Sequence, residues 1–347
     1  MTDAVLVLAW LVLAHLVADF VLQTESIVRA KNARGGLAVR GLLAHAAIVA
    51  VCLVPVGLAF GGPGWLFVAW TTVLHVAIDR SKIVLTRRAA AAALAEAQRR
   101  HEGPQPAGHL GRAWTSRPAA LFLADQLAHL AVAGIGWLIF LVVFTSSLQP
   151  GWVDLVNWVL GGVDRPGAHR VVSLGVVIAS LVIANVRAAS IWVAVLVRPV
   201  EEGEGAARWG DRADPAIAPP PSNEPAAAVP PVRSWSLRVG PFDATIQEEA
   251  TAAPIVAAPA EVASRPAQVA RIGATIGILE RILIVVFVLT GSEAAIGFVV
   301  AAKTLARFRL LDDRDFAEYY LLGTLASVAV AIATGLIARA ALSALLA

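Results

Sequence analysis

The sequence predicts an all-α, polytopic transmembrane helix bundle, and three observations carry that reading. Hydrophobic residues make up 58% of the 347 and charged residues only 15%, with a mean hydropathy of +0.72; a soluble domain carries roughly 25% charged residues. Apolar runs near the ~20 residues needed to cross a hydrocarbon core recur along the chain. Arginines gather in alternate connecting loops, as expected when successive loops face opposite sides of a membrane.

Eight spans are expected, at about 3–23, 38–60, 65–86, 118–145, 171–197, 267–290, 293–310 and 317–346. The seventh, AAIGFVVAAKTLARFRL, is short and carries Lys303, which also suits a re-entrant segment. The first loop holds Arg29, Lys31, Arg34 and Arg40, whereas the second, GLAFGGPGW, has no charge. Arg87, Arg88, Arg99, Arg100, Arg112 and Arg117 crowd the third, and Arg307, Arg309 and Arg314 the seventh. With eight spans this alternation predicts both termini outside and odd-numbered loops in the cytoplasm. MTDAVLV lacks the positive n-region of a signal peptide, so the first run reads as a retained helix.

Between the spans, RAAAAALAEAQRRHE (88–102) is rich in helix formers and extends the third span, until GPQPAG stops it. WVDLVNWVLGG (151–161) suits a short helix in the outer interface or an ordinary loop. The stretch 199–266 is dense in Pro, Ala, Glu and Arg and reads as a disordered cytoplasmic linker. Within it, WSLRVGPFDATI alternates weakly and suits a strand pairing or a docking segment for a protein partner. The chain thus divides into a five-helix membrane domain (1–198), the linker (199–266) and a three-helix membrane segment (267–347).

Composition also excludes some chemistry. The net charge of +3 and pI near 9.5 are accounted for by the loop arginines, which leaves no basic stripe for nucleic acid. The single cysteine, Cys52, rules out an intramolecular disulfide and a thiolate metal site, and reads as a small buried hydrophobe.

What remains to be explained is a set of polar residues inside the spans. His15 and Asp19, His75 and Asp79, and in reverse order Asp125 and His129 are each four residues apart, so both members of a pair share one helix face. Gln23 extends the first face by a turn, and His45 adds a further imidazole. Counting from the loop arginines, His45 lies ~8 Å deep, Asp79 and Asp125 ~12 Å, Asp19 ~15 Å, His75 and His129 ~18 Å and His15 ~21 Å. Glu280 and Arg187 come out at ~14 and ~17 Å. Three unpaired aspartates at such depths would cost on the order of 10 kcal/mol, so something must compensate them.

Three kinds of compensation are open. A divalent metal, zinc, iron or manganese, would be held by His15, Asp19, His45, His75, Asp79, Asp125 and His129 and would activate a water, with an aspartate (Asp19, Asp79 or Asp125) as general base. The same groups would serve an ion or proton relay. Alternatively they pair with Lys31, Lys82, Arg187 or Lys303 as a structural network. Lys82, one turn from Asp79, favours a local ion pair, and Glu280 or Asp125 is the preferred partner of Arg187. Glu280 and Arg281 point ~100° apart and need separate partners.

HLVADFVLQTESIVRAK, His45, HVAIDRSK (75–82) and FLADQLAH (122–129) resemble the motifs of a family of prokaryotic multi-pass membrane proteins defined by a numbered domain of unknown function. GATIGILERILIVVF, AIGFVVAAKTLARF and AEYYLLGTLAS resemble a segment that often accompanies it. The likeness spans about 1–145 and 270–330. It implies a bacterial inner-membrane protein without assigning an activity. It also implies that His15, Asp19, Gln23, Lys31, His45, His75, Asp79, Lys82, Asp125, Gln126 and His129 match the family motif, and Glu280, Arg281, Lys303, Arg307 and Glu318 the accompanying segment. A looser likeness to membrane metal-dependent hydrolases with HxxxD pairs is an analogy.

The function expected is a membrane-embedded metal-dependent hydrolase acting on a lipid or lipid-linked substrate, with Arg187, Lys303 or Arg307 holding an anionic headgroup. The alternatives are a proton- or ion-coupled transporter using the same cluster, and a non-catalytic scaffold whose linker recruits a protein.

Overall fold

The structure, a computed structural model, describes residues 4–101, 115–143, 147–159, 161, 165–197, 234–239, 242–247, 260–312 and 314–346. The described residues of the membrane part form helices joined by short turns. Helix α1 (Ala4–Leu16) continues through a π-helical stretch (Val17–Leu22), and a short α2 (Glu25–Lys31) turns back before α3 (Gly36–Phe60). Gly61, at φ +65°, makes the tight turn into the 40-residue α4 (Gly62–His101), which joins the third span to its expected extension. Next come α5 (Arg117–Gly136) with a π stretch (Trp137–Val143), α6 (Pro150–Val159), and α7 (Arg165–Ile183), which passes through a π stretch (Ala184–Ala188) into α8 (Ala189–Val197). The C-terminal segment holds α9 (Ala260–Leu289), α10 (Ala294–Ala306) and α11 (Arg314–Leu346).

Among the described residues, Ala4–Leu22, Gly36–Phe60, Arg117–Val143, Gly167–Val197 and Phe316–Leu346 are long and apolar enough to cross a membrane. The third and sixth expected spans fall within α4 and α9. The seventh does not form a full span: α10 has 13 residues, ~20 Å against a core of ~30 Å, which agrees with the re-entrant alternative. α6 takes the helical option for 151–159.

In the linker region, Ser234–Val239 (β1) pairs antiparallel with Phe242–Gln247 (β2), Trp235 opposite Ile246 and Leu237 opposite Ala244. The weak alternation of WSLRVGPFDATI thus takes its strand-pairing option. The linker residues 199–233 and 248–259 lie outside the described residues. The chain forms two compact units, one of Met1–Arg212 with Thr275–Ala347 and one of Ala213–Ala274. The N- and C-terminal membrane segments therefore fold together.

The burial pattern along α3 shows how the membrane unit is built. Ala38, Gly41, His45, Val49, Leu53 and Val56 recur every three or four residues and are buried, while Val39, Leu43, Val51 and Leu58 on other faces are half or more exposed. Large apolar side chains facing outward over several helices, Val73, Leu127, Phe298 and Ile337 among them, form the surface that lipid covers. Beneath them, α1, α3, α4 and the π stretch after α5 share a core that includes Leu11, Val49, Leu53, Phe60, Phe67 and Leu141, against which the half-buried Cys52 packs. A second core joins Ile284, Val285 and Val288 of α9 to Ile296 of α10 and Ala331 of α11.

Gly41 is where the fold meets the polar interior. A Cβ there would run into the backbone of Ala30 and Lys31, so α2 docks on α3 through the missing side chain. Gly41→Ala is expected to push α2 outward and pull Lys31 off its partner. We expect thermal stability to fall by about 2–4 kcal/mol, of the order of overpacking plus a weakened buried pair. The check is thermal unfolding in detergent beside Gly36→Ala, where the added Cβ meets nothing.

Candidate functional site

Four helical segments converge at the centre of the N-terminal helices. The stretch from α1 into its π extension supplies His15, Asp19 and Gln23, and α3 supplies His45. α4 supplies His75, Asp79 and Lys82, and α5 supplies Asp125, Gln126 and His129, while Lys31 enters from the end of α2. Lys31, His45, His75, Asp79, Asp125 and His129 are buried, and the His15 and Asp19 side chains are nearly so. Asp19 sits within the π stretch, a feature that often marks functional sites in helices.

The centre is crowded with nitrogen and oxygen donors. His45 Nε2 and His75 Nε2 face each other at 2.9 Å. Both lie beside Asp19 Oδ1, at 3.3 and 3.4 Å, and His45 Nε2 is 3.6 Å from Asp79 Oδ2. His15 Nδ1 is 3.9 Å from the same Asp19 oxygen. His15, Asp19 and His75 form one group of mutually close ligand atoms, His45, His75 and Asp79 a second, and Asp79, Asp125 and His129 a third, each within 4.8 Å. The rings of His75 and His129 approach to 3.9 Å between centroids and those of His15 and His129 to 5.1 Å.

Around that centre the aspartates are held from outside. Lys31 Nζ donates to Asp79 Oδ2 at 2.7 Å, and Lys82 Nζ to Asp125 Oδ2 at 2.6 Å. Gln126 donates to the same Asp125 oxygen at 3.0 Å, and its Oε1 lies 3.1 Å from His15 Nε2. With its amide turned to satisfy both ends, Gln23 donates to the Asp19 carbonyl and accepts from Lys31. Asp19 Oδ1, His45 Nδ1, Asp125 Oδ1 and His129 Nε2 are buried with no hydrogen-bond partner.

All of the histidines and aspartates expected from the spacing are therefore brought together, with Gln23, Lys31, Lys82 and Gln126 around them. Other pairings differ from expectation. Lys82 bonds Asp125 on the neighbouring helix instead of Asp79, because Asp79 is already taken by Lys31. Arg187 pairs with neither Glu280 nor Asp125: its Nε donates to the Phe20 carbonyl at 3.3 Å, beside Asp19. Glu280 accepts from Lys303 at 2.6 Å, and Lys303 and Arg307 stand over the Tyr320 ring. Lys303 and Arg307 thus find their neighbours on α9 and α11, in Glu280 and the Tyr320 ring. Arg281 is buried with partners of its own, as its angular separation from Glu280 required: the Asn185 carbonyl and the Ser327 and Ser190 hydroxyls. Asn185, buried and bonded to Thr334, was missed; a lone amide inside SLVIANVRAAS was its signal.

A bundle with apolar side chains outside and a buried His/Asp/Lys centre is a polytopic membrane protein with an intramembrane polar site. Residues 7–155 match the model of a family described as "Protein of unknown function (DUF3307)". The match runs from α1 into α6 and so takes in every residue from His15 to His129 named above. No curated protein and no solved structure matches the chain.

Proposed function

We propose that Asp19, His45, His75 and Asp79 bind a divalent metal ion, and that the protein is a membrane-embedded, metal-dependent hydrolase acting on a lipid or lipid-linked substrate. One observation carries this reading. Zinc–ligand bonds of about 2.0–2.1 Å imply tetrahedral edges of ~3.3–3.4 Å between ligand atoms. The two His–Asp19 separations are 3.3 and 3.4 Å, with His45–Asp79 at 3.6 Å and the two imidazole nitrogens at 2.9 Å. The donors come from three helical segments, and Lys31 fixes the Asp79 carboxylate by donating to Oδ2, the same oxygen that faces His45.

Nitrogen and carboxylate donors without thiolate suit zinc, iron or manganese. His15, Asp125 and His129 stand next to these four and supply either a second ion or the proton chemistry of one. A metal-bound water is a nucleophile at neutral pH. With a metal held there to activate a water, Asp125, whose Oδ1 has no hydrogen-bond partner, would serve as general base toward that water and as general acid toward the departing ester oxygen.

A second reading has its own observation. Lys82, Asp125, Gln126, His15, Asp19, His45, Asp79 and Lys31 form a continuous chain of polar neighbours, the kind of path that carries protons in a transporter. Elemental analysis of protein purified in detergent without chelators separates the two. We expect about one metal equivalent per chain, and loss of ester or phosphoester cleavage on chelation. Trace metal in the wild type, with proton flux in proteoliposomes that Asp79→Asn abolishes, would establish the relay instead.

A further inference from the structure

Next to the site lies a groove that the hydrolytic chemistry above does not use. Leu85, Arg88, Ala89 and Ala92 of α4 face Arg117, Ala120, Leu121 and Ala124 of α5 across an open groove of about 560 Å³. Both sets follow the same i, i+3, i+4, i+7 rule, which places each on a single stripe of its helix. Alanine at four of the eight positions leaves the space between the two stripes unfilled. The walls are apolar, and the only charges on them are the two arginines, with no carboxylate among the lining residues. Arg88 and Arg117 are both exposed.

We infer that this groove binds a phosphate-bearing anionic membrane lipid, with an acyl chain against the alanines and leucines and the phosphate between Arg88 and Arg117. A hydrocarbon chain needs the apolar walls, and a fixed negative charge at one end needs the two guanidiniums. The groove's inner end leads toward the site. Leu85 is one turn beyond Lys82 and Leu121 one turn before Asp125, whose side chains form the 2.6 Å ion pair. Lys82 is also the more open of the two paired lysines, 26% exposed against 8% for Lys31. The inference deepens the hydrolase reading by naming its substrate class. It rests on that reading for the lipid's fate, and binding itself is independent of metal.

The test is native mass spectrometry of the full-length protein in detergent with added phosphatidylglycerol or phosphatidylcholine, beside R88Q/R117Q and A120L/A124L. Wild type is expected to retain one phosphatidylglycerol per chain in preference to phosphatidylcholine. Loss of two interfacial arginines is expected to weaken that retention about 10- to 30-fold. Filling the groove with leucine weakens it to a similar degree and abolishes headgroup preference. Metal content measured on the same samples stays at the wild-type level, so failure of the lipid site and failure of the metal site read out separately. Equal retention of both lipids by wild type, or retention unchanged in R88Q/R117Q, means annular lipid only and overturns the inference. If A120L/A124L does not fold, the arginine variant alone decides.

Discussion

Replacing Asp19 with Asn is expected to lower bound metal from about one equivalent per chain to a trace, with affinity falling more than about 100-fold. Outer-shell partners alone contribute about 10- to 100-fold, and Asp19 is proposed as a direct ligand. Its Oδ1 is the one oxygen close to His15, His45 and His75 together. The charge inventory adds a sign. Asp79 and Asp125 each have a lysine, whereas Asp19 has only imidazoles within ion-pair distance among the described residues. With neutral histidines, the metal-free centre therefore holds one carboxylate charge without a cation in contact. Asp19→Asn removes that charge, so metal-free protein is expected to unfold at the same or a higher temperature than metal-free wild type. A purely structural network predicts the reverse, a loss of stability whether or not metal is added. Thermal unfolding with chelator and with added zinc, beside elemental analysis, reads both signs.

Lys31→Met is expected to cost about 3–5 kcal/mol, the usual consequence of leaving one partner of a buried ion pair uncompensated. Asp79 is 2% exposed and Lys31 only 8%, so water cannot replace the lost ammonium. The double variant Lys31→Met/Asp79→Asn is expected to recover most of that stability, since it removes the stranded charge as well. Lys82→Met should cost clearly less, because Lys82 is 26% exposed and part of its interaction with Asp125 is already screened. Chemical unfolding of the four proteins in one detergent gives the comparison. A Lys31→Met protein as stable as wild type would mean that Asp79 is neutral in the folded state.

The membership of the site was legible in sequence for a physical reason. Ionisable groups in an apolar run are too costly to be accidental, and a spacing of four fixes two of them on one face. That is why His15 with Asp19, His75 with Asp79 and Asp125 with His129 could be named together. The partners were less legible. The local rule that tied Lys82 to Asp79 lost to a cross-helix bond, since Lys31 had already satisfied Asp79. Arg187 was assigned a carboxylate by charge, whereas the bundle offers it the Phe20 carbonyl.

What the sequence by itself determined is the class: apolar runs of bilayer length, arginine-rich alternate loops, and a helical bundle whose polar groups must turn inward. Each of these depends on composition and on periodicity within one element, which a chain carries without its neighbours. Tertiary structure alone decided the rest. It brought α2 back against Gly41 so that Lys31 reaches Asp79. It also set the π turn that holds Asp19 between two imidazoles from other helices. Those outcomes depend on how close two backbones approach and on the register of one helix against the next, to within an ångström. No pattern inside a single helix encodes either quantity.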